Sequence, residues 1–323
     1  MLMLIDLFMA ALPLLYGLAT ANYLIYFVRR DEFAERTCTP VLWVTTVLHL
    51  SFVVLRVLHF ERHPLGSLPE VLSVVAFSVA SIYLYVEQIE KSKSTGAFIL
   101  PMVVMLQLAA SALMSHNTPQ GPGSELLRNP LFGLHTSVAV LGYSAFAVGA
   151  VYGVMFLLLY RALKNRRFGI IFERLPSLDV LSKMAFWPTF LGWVFLSATI
   201  GLGVAMSFDL FPEFYRDPKF ITTVAVWAVY GGSIVTYFAF GWRGARSVYI
   251  SLTGFGFAVL ATVGSVFLWP SFHKFMSGAH WDRWEQERRA LLNSWARACT
   301  ARRLKCSSDS RWHQRSFRSS IAA

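Results

Sequence analysis

The apolar residues of this chain come in unbroken runs of about twenty, the length at which an α-helix crosses the hydrocarbon core of a bilayer. Eight such runs are present: Leu4–Val28, Val41–Phe60, Leu68–Val86, Ala97–Met114, His135–Tyr160, Ala185–Met206, Ile221–Phe240 and Val248–Trp269. Strands of a membrane β-barrel would alternate apolar and polar residues in segments of about ten, and these runs do not alternate. Of the 323 residues 55% are hydrophobic and 15% charged, whereas soluble domains carry about 25% charged residues. Too little polar side chain remains to cover a surface in water. The expectation is an all-α fold, a polytopic membrane helix bundle of about eight transmembrane helices. Pro13, Pro101 and Pro188 lie inside or near the start of spans, where neighbouring helices can satisfy the carbonyls that a proline frees.

Charge sorts the loops. The first, third, fifth and seventh carry thirteen basic residues, and the even loops carry four: Arg62, Arg128, Arg216 and Lys219. Cytoplasmic loops are enriched in Lys and Arg, so the odd loops are expected in the cytoplasm and the N-terminus outside. The N-terminus is apolar without a basic leader or a small-residue cleavage site, and reads as a retained first span. From Ser271 onward eleven Lys/Arg face four Asp/Glu. This basic tail would lie outside, against the charge rule, but distant tail charges weigh less than short loops. It lacks the basic and aromatic pattern of a nucleic-acid module. The chain thus divides into four N-terminal spans over 1–130, a four-span core over 131–275 and the tail over 276–323. The three cysteines, Cys38, Cys299 and Cys306, form no CxxC or zinc spacing.

Histidine is the informative residue type. On this topology His59, His63, His116, His135 and His273 all fall at the outer ends of spans, and no histidine lies on a cytoplasmic loop. Neutral imidazole is a good iron ligand, and two can hold haem iron axially. An imidazole ring also sits at a membrane interface without any ligand, as Trp and Tyr do. His49 alone lies well inside the membrane. An ionisable residue there suggests function by default: a second haem site or a proton relay. The alternative is a neutral ring bonded to Ser or Thr on a neighbouring span. Arg56 follows seven residues later, on a similar helical face, and should face the bundle or snorkel outward.

The stretch from His135 through Val-Leu-Gly to Tyr143 resembles the histidine-bearing helix of the cytochrome c assembly family. These are membrane haem-handling proteins of the CcsA and CcmC type and the shorter YpjD- and HemX-like proteins. The resemblance continues through Leu175-Pro-Ser-Leu-Asp179, Gly192, Gly201 and Gly203, and Asp217-Pro-Lys219. It then takes in Trp227, Tyr230, Gly241-Trp-Arg-Gly244 and Ser251-Leu-Thr-Gly-Phe255, and covers roughly 131–275. It implies a haem-handling component of cytochrome c assembly in a bacterial inner membrane, with haem, lipid and other assembly proteins as partners and no catalytic turnover of its own. In the family an external tryptophan-rich loop receives haem and two flanking external histidines ligate the iron. The matching loop here is Phe208–Phe220, and the matching histidines are His135 and His273.

The departures point to the shorter branch. The loop has no tryptophan: Arg216 stands where the motif has Trp before Asp-Pro-Lys, and Phe220 where it has Glu. No histidine occurs between His135 and His273. The expected cofactor-binding set is therefore His135, His273, Tyr215, Arg216, Asp217, Lys219 and His49, with His135 and His273 as metal ligands. Arg216 and Lys219 suit haem propionates, since both pair with carboxylates; Asp209, Glu213 and Asp217 in the same loop would serve them equally. Two alternatives stay open: a polytopic transporter, and a structural or regulatory partner of the assembly machinery that has lost haem.

Overall fold

Each apolar run folds as a helix. The structure is a computed structural model that describes residues 1–114, 126–166, 168–210, 215 and 217–267, all within one compact unit spanning Met1–Met276. Among the described residues the helices are α1 (Leu2–Arg29), α2 (Glu32–Phe60), α3 (Leu68–Glu90), α4 (Gly96–Leu113), α5 (Pro130–Lys164), the short α6 (Ile170–Arg174), α7 (Leu178–Leu210), α8 (Pro218–Ala239) and α9 (Ala245–Phe267). Eight of them are long and apolar enough to cross a membrane, and the chain is a multi-pass membrane protein. Its outer surface supports this: Leu14, Met105 and Leu260 each expose more than 65% of their area, as lipid-facing side chains do.

Several helices outrun their apolar stretches, because hydropathy measures the length in lipid while caps decide where a helix ends. Helix α2 begins nine residues before the apolar run at Val41. There Asp31 accepts the Ala34 N–H at 2.8 Å, and Glu32 and Glu35 in the first turn suit the positive helix end. Asn129 caps α5 by accepting the Leu131 N–H at 2.9 Å, with Pro130 at a first-turn position that needs no donor. Arg30 and Lys91 close α1 and α3 in the left-handed region. Consecutive spans run antiparallel, so the start of α5 lies at the bundle end that also holds the α2–α3 connection and the start of α8.

Packing is organised around α5 and α7, which share the most extensive interface. Small residues let the two backbones approach, as membrane helices require. A Cβ placed on Gly142 would lie 3.3 Å from the Gly192 carbonyl, and one on Gly192 would lie 2.9 Å from the Gly142 carbonyl and 2.8 Å from the Phe146 ring. Gly192→Ala is therefore expected to destabilise the protein by about 1–3 kcal/mol, the usual cost of overpacking. A melting temperature in detergent equal to that of the wild type would refute it. The larger buried cluster joins α1–α5 with the start of α7 and includes Tyr16, Tyr23, Tyr83 and Tyr152. A second one, Phe146, Leu196, Val226, Tyr230 and Ala258, joins α5, α7, α8 and α9. Phe146 and Tyr230 stack there with ring centroids 3.8 Å apart.

Candidate functional site

His135 stands in the second turn of α5, half-buried, with its ring turned onto α7. Its Nδ1 lies 3.0 Å from the Thr199 carbonyl. A carbonyl can only accept, so Nδ1–H donates and the lone pair of the neutral ring stands on Nε2. One turn further along α7, Gly203 leaves room for the ring: a Cβ there would meet Cε1 at 3.0 Å. Metal-ligating imidazoles are commonly held in this way, with the second nitrogen bonded to a carbonyl that fixes tautomer and ring orientation. The donor chemistry of His135 thus fits an axial haem ligand. Beneath it, toward the bundle centre, Trp193 and Trp227 stack at 5.6 Å. Their indoles are anchored, Trp227 Nε1 to Ser197 Oγ at 2.8 Å and Trp193 Nε1 to the Trp227 carbonyl at 3.2 Å. The loop lacks tryptophans, but the helices below it carry this flat aromatic pair.

The segment before α8 is shaped by Asp217. Its carboxylate, buried, accepts the Lys219 N–H at 2.7 Å and caps the helix, with Pro218 at the first turn. That role starts α8 at Pro218, which explains an Asp-Pro pair at this position. Tyr215 is about half-exposed. Arg216 and His273 lie outside the described residues, as do His116 and most of the loop before Tyr215. Among the described residues, no group of three or more His, Cys, Asp or Glu converges as a metal site would.

His49 belongs to a different part of the fold. It is fully buried between α1, α3 and its own helix α2, and both ring nitrogens are engaged. The Ser73 hydroxyl donates to Gln107 Oε1 at 3.0 Å, so it accepts from His49 Nε2–H, also at 3.0 Å. Nδ1 then accepts from the Tyr16 hydroxyl at 3.0 Å, and Gln107 Nε2 donates to Ser111 Oγ at 3.2 Å. The result is a head-to-tail hydrogen-bond chain through α1, α2, α3 and α4. A neutral imidazole bonded on both sides ties helices together; it has no lone pair to give to iron.

Of the two placements open to Arg56 it takes the one facing the bundle, and it has partners that spacing did not reveal. Arg56 and Arg62 both bind Glu70 near the start of α3, and all three are at most 6% exposed. At the opposite end Glu87 is buried and accepts from Tyr23 and Tyr83 at 2.6 Å each, and from Thr39. A Glu within or beside an apolar run is the one signal that could have marked each cluster, because a buried carboxylate must find donors.

Comparison with known proteins agrees with this architecture. The profile of the family described as Cytochrome C assembly protein matches residues 65–273, and so begins before α3, well ahead of the stretch from 131 that carries the visible motifs. Protein HemX of Brevibacillus brevis is 25% identical over 217 residues, covering 67% of this chain and 79% of the relative. The cytochrome c biogenesis protein CcsA of Heterosigma akashiwo is 22% identical over 253 residues, covering 67% and 78%. Inner membrane protein YpjD of Escherichia coli is 27% identical over 199 residues, covering 62% and 73%.

Proposed function

The chain belongs to the cytochrome C assembly protein family, and from that premise we propose that it binds haem at the bundle end where α5 begins, with His135 as one of the residues that would hold the iron. The observation that carries this reading is the bond from His135 Nδ1 to the Thr199 carbonyl, which turns Nε2 into the donor atom iron requires. His273 is the second ligand in this reading. In this reading Tyr215 would meet the ring face and Arg216 and Lys219 the propionates, with Asp217 capping α8 beside them. Iron is left to His135 and His273, and His49 serves as a helix tie.

Haem, when bound, supplies the iron centre, and the residues of this chain supply orientation and charge. The Thr199 carbonyl holds the ring with its proton on Nδ1, Gly203 leaves the ring its place, and Asp217 caps α8 at Lys219. Such a protein holds and positions haem for other cytochrome c assembly proteins without turnover of its own. The bias of Lys and Arg toward the odd loops supports a bacterial inner membrane location with the N-terminus and the His135 end outside. The name of the Escherichia coli relative, an inner membrane protein, fits this.

The test is an absorption spectrum of protein purified in detergent from haem-replete cells. A Soret band is expected. His135→Ala should lower haem affinity by at least the ~10–100-fold that loss of an outer-shell partner costs a metal site, and should shift the band. A colourless protein that takes up no haem on titration would defeat the reading.

A further inference from the structure

We propose that Arg56, Arg62 and Glu70 form a binding site for a singly charged oxyanion, a carboxylate or a phosphate ester. The argument is a charge and donor count within one buried cluster. Glu70 accepts from Arg56 Nη2, from Arg62 Nη1 and Nη2 at 3.0 and 2.8 Å, and from the Gly66 N–H at 2.9 Å. A carboxylate has about four lone-pair sites, and all four are filled. Two guanidiniums thus share one carboxylate, which leaves one positive charge over in a cluster where Arg56 is 3% and Arg62 6% exposed.

Among the described residues, Glu70 is the only carboxylate paired with either arginine. Both Nε–H groups are buried without an acceptor among the described residues. Arg56 Nη1 meets only the Met114 sulfur at 3.1 Å, a weak acceptor. Arg62 Nη1 also reaches the His63 carbonyl at 3.3 Å. The Phe60 ring faces both guanidiniums, at 4.9 Å from Arg56 and 5.6 Å from Arg62, but a ring quadrupole is not a counter-ion. Neutralising Glu70 needs one arginine, so the second is unexplained by structure alone. A guanidinium fork with unused donors matches the planar geometry of an oxyanion, and a buried charge without a partner is costly enough to require one.

The position of the cluster narrows the source. The His63 N–H donates to the Leu127 carbonyl at 2.9 Å, and the His63 ring packs on Gly133 so closely that a Cβ there would collide with it. The cluster is thereby linked to the first turn of α5, the helix that carries His135. Two oxyanions occur at that membrane boundary: lipid phosphodiesters and, resting on the haem reading above, haem carboxylates.

Arg56→Met is the informative variant, because it leaves the two-point Arg62–Glu70 pair intact and neutral; Arg56→Lys keeps the charge. In one arm, full-length protein in detergent is titrated with haem and with haem dimethyl ester, which retains the iron but lacks free carboxylates. In the other, thermal stabilisation by phosphatidylglycerol is compared with that by diacylglycerol, which lacks the phosphate. In at least one arm the wild type should favour the oxyanion-bearing probe on the order of tenfold, as loss of a charge-assisted bond implies. Arg56→Met should abolish that preference, and Arg56→Lys should retain part of it. A wild type that binds neither haem nor its ester defeats the haem reading but leaves the phospholipid arm to decide this site. Absence of discrimination in both arms, or discrimination unchanged in Arg56→Met, overturns the proposal.

Discussion

Glu70→Ala is expected to lower the stability of the bundle by about 3–5 kcal/mol, the range found when one partner of a buried ion pair is removed. The wild-type carboxylate is nearly surrounded by donors, and both of its arginines are buried. Without it, two guanidiniums face each other across an empty acceptor position, and the Gly66 N–H loses its partner as well. The cost comes from stranded charge, so it should vanish with the charge. A triple variant, Glu70→Leu with Arg56→Met and Arg62→Met, should recover most of the lost stability, because apolar residues of similar volume often replace buried ion pairs at no cost. Thermal melting in detergent, followed by circular dichroism, measures both. A Glu70→Ala protein that melts with the wild type would show that the cluster is hydrated and that the burial argument is wrong.

The second large effect is expected at the opposite end. Glu87→Leu removes the common acceptor of Tyr23, Tyr83 and Thr39. Tyr23 and Tyr83 are fully buried, their rings edge to face at 5.7 Å, and the Lys93 carbonyl at 3.5 Å is a distant second acceptor for Tyr83. An orphaned buried donor costs about 1–3 kcal/mol, so three should cost at least about 3 kcal/mol together. Glu87→Gln keeps one oxygen for the two tyrosines and presents an amide to a hydroxyl that can accept, so it should lose about 1 kcal/mol. The order of melting temperatures, wild type, then Gln, then Leu well below, is the check. A leucine variant as stable as the glutamine variant would mean that the hydroxyls find water.

His49 and Arg56 illustrate how far reading along the chain could reach. Their spacing of seven residues places them on one helical face, and both are buried. A serine on a neighbouring span was one expected partner for His49, and Ser73 is bonded to it. The identity of that serine, and the Tyr16 hydroxyl on the other side, depend on the rotation of α1 and α3 about their own axes, which no local pattern encodes. The His135 tautomer is a similar case. The residue can be singled out by its position at a span end and by family resemblance, but the Thr199 carbonyl that orients it comes from a helix about 64 residues away. The Phe208–Phe220 loop holds no tryptophan, whereas Trp193 and Trp227 lie within spans, and only the packing of α7 on α8 stacks them.

From the order of its residues alone, this chain was committed to eight membrane helices and to the family it belongs to. Both are written in consecutive apolar length and in motifs a few residues long, and lipid rewards that length segment by segment. Folding in three dimensions decided that His49 is bonded at both ring nitrogens and that His135 gives its Nδ1–H to a carbonyl, and it gathered two arginines around a single carboxylate. Those outcomes rest on side chains from separate helices meeting within about 3 Å, a condition set by helix rotation and close packing at glycines such as Gly142 and Gly192 and carried by no single stretch of the chain.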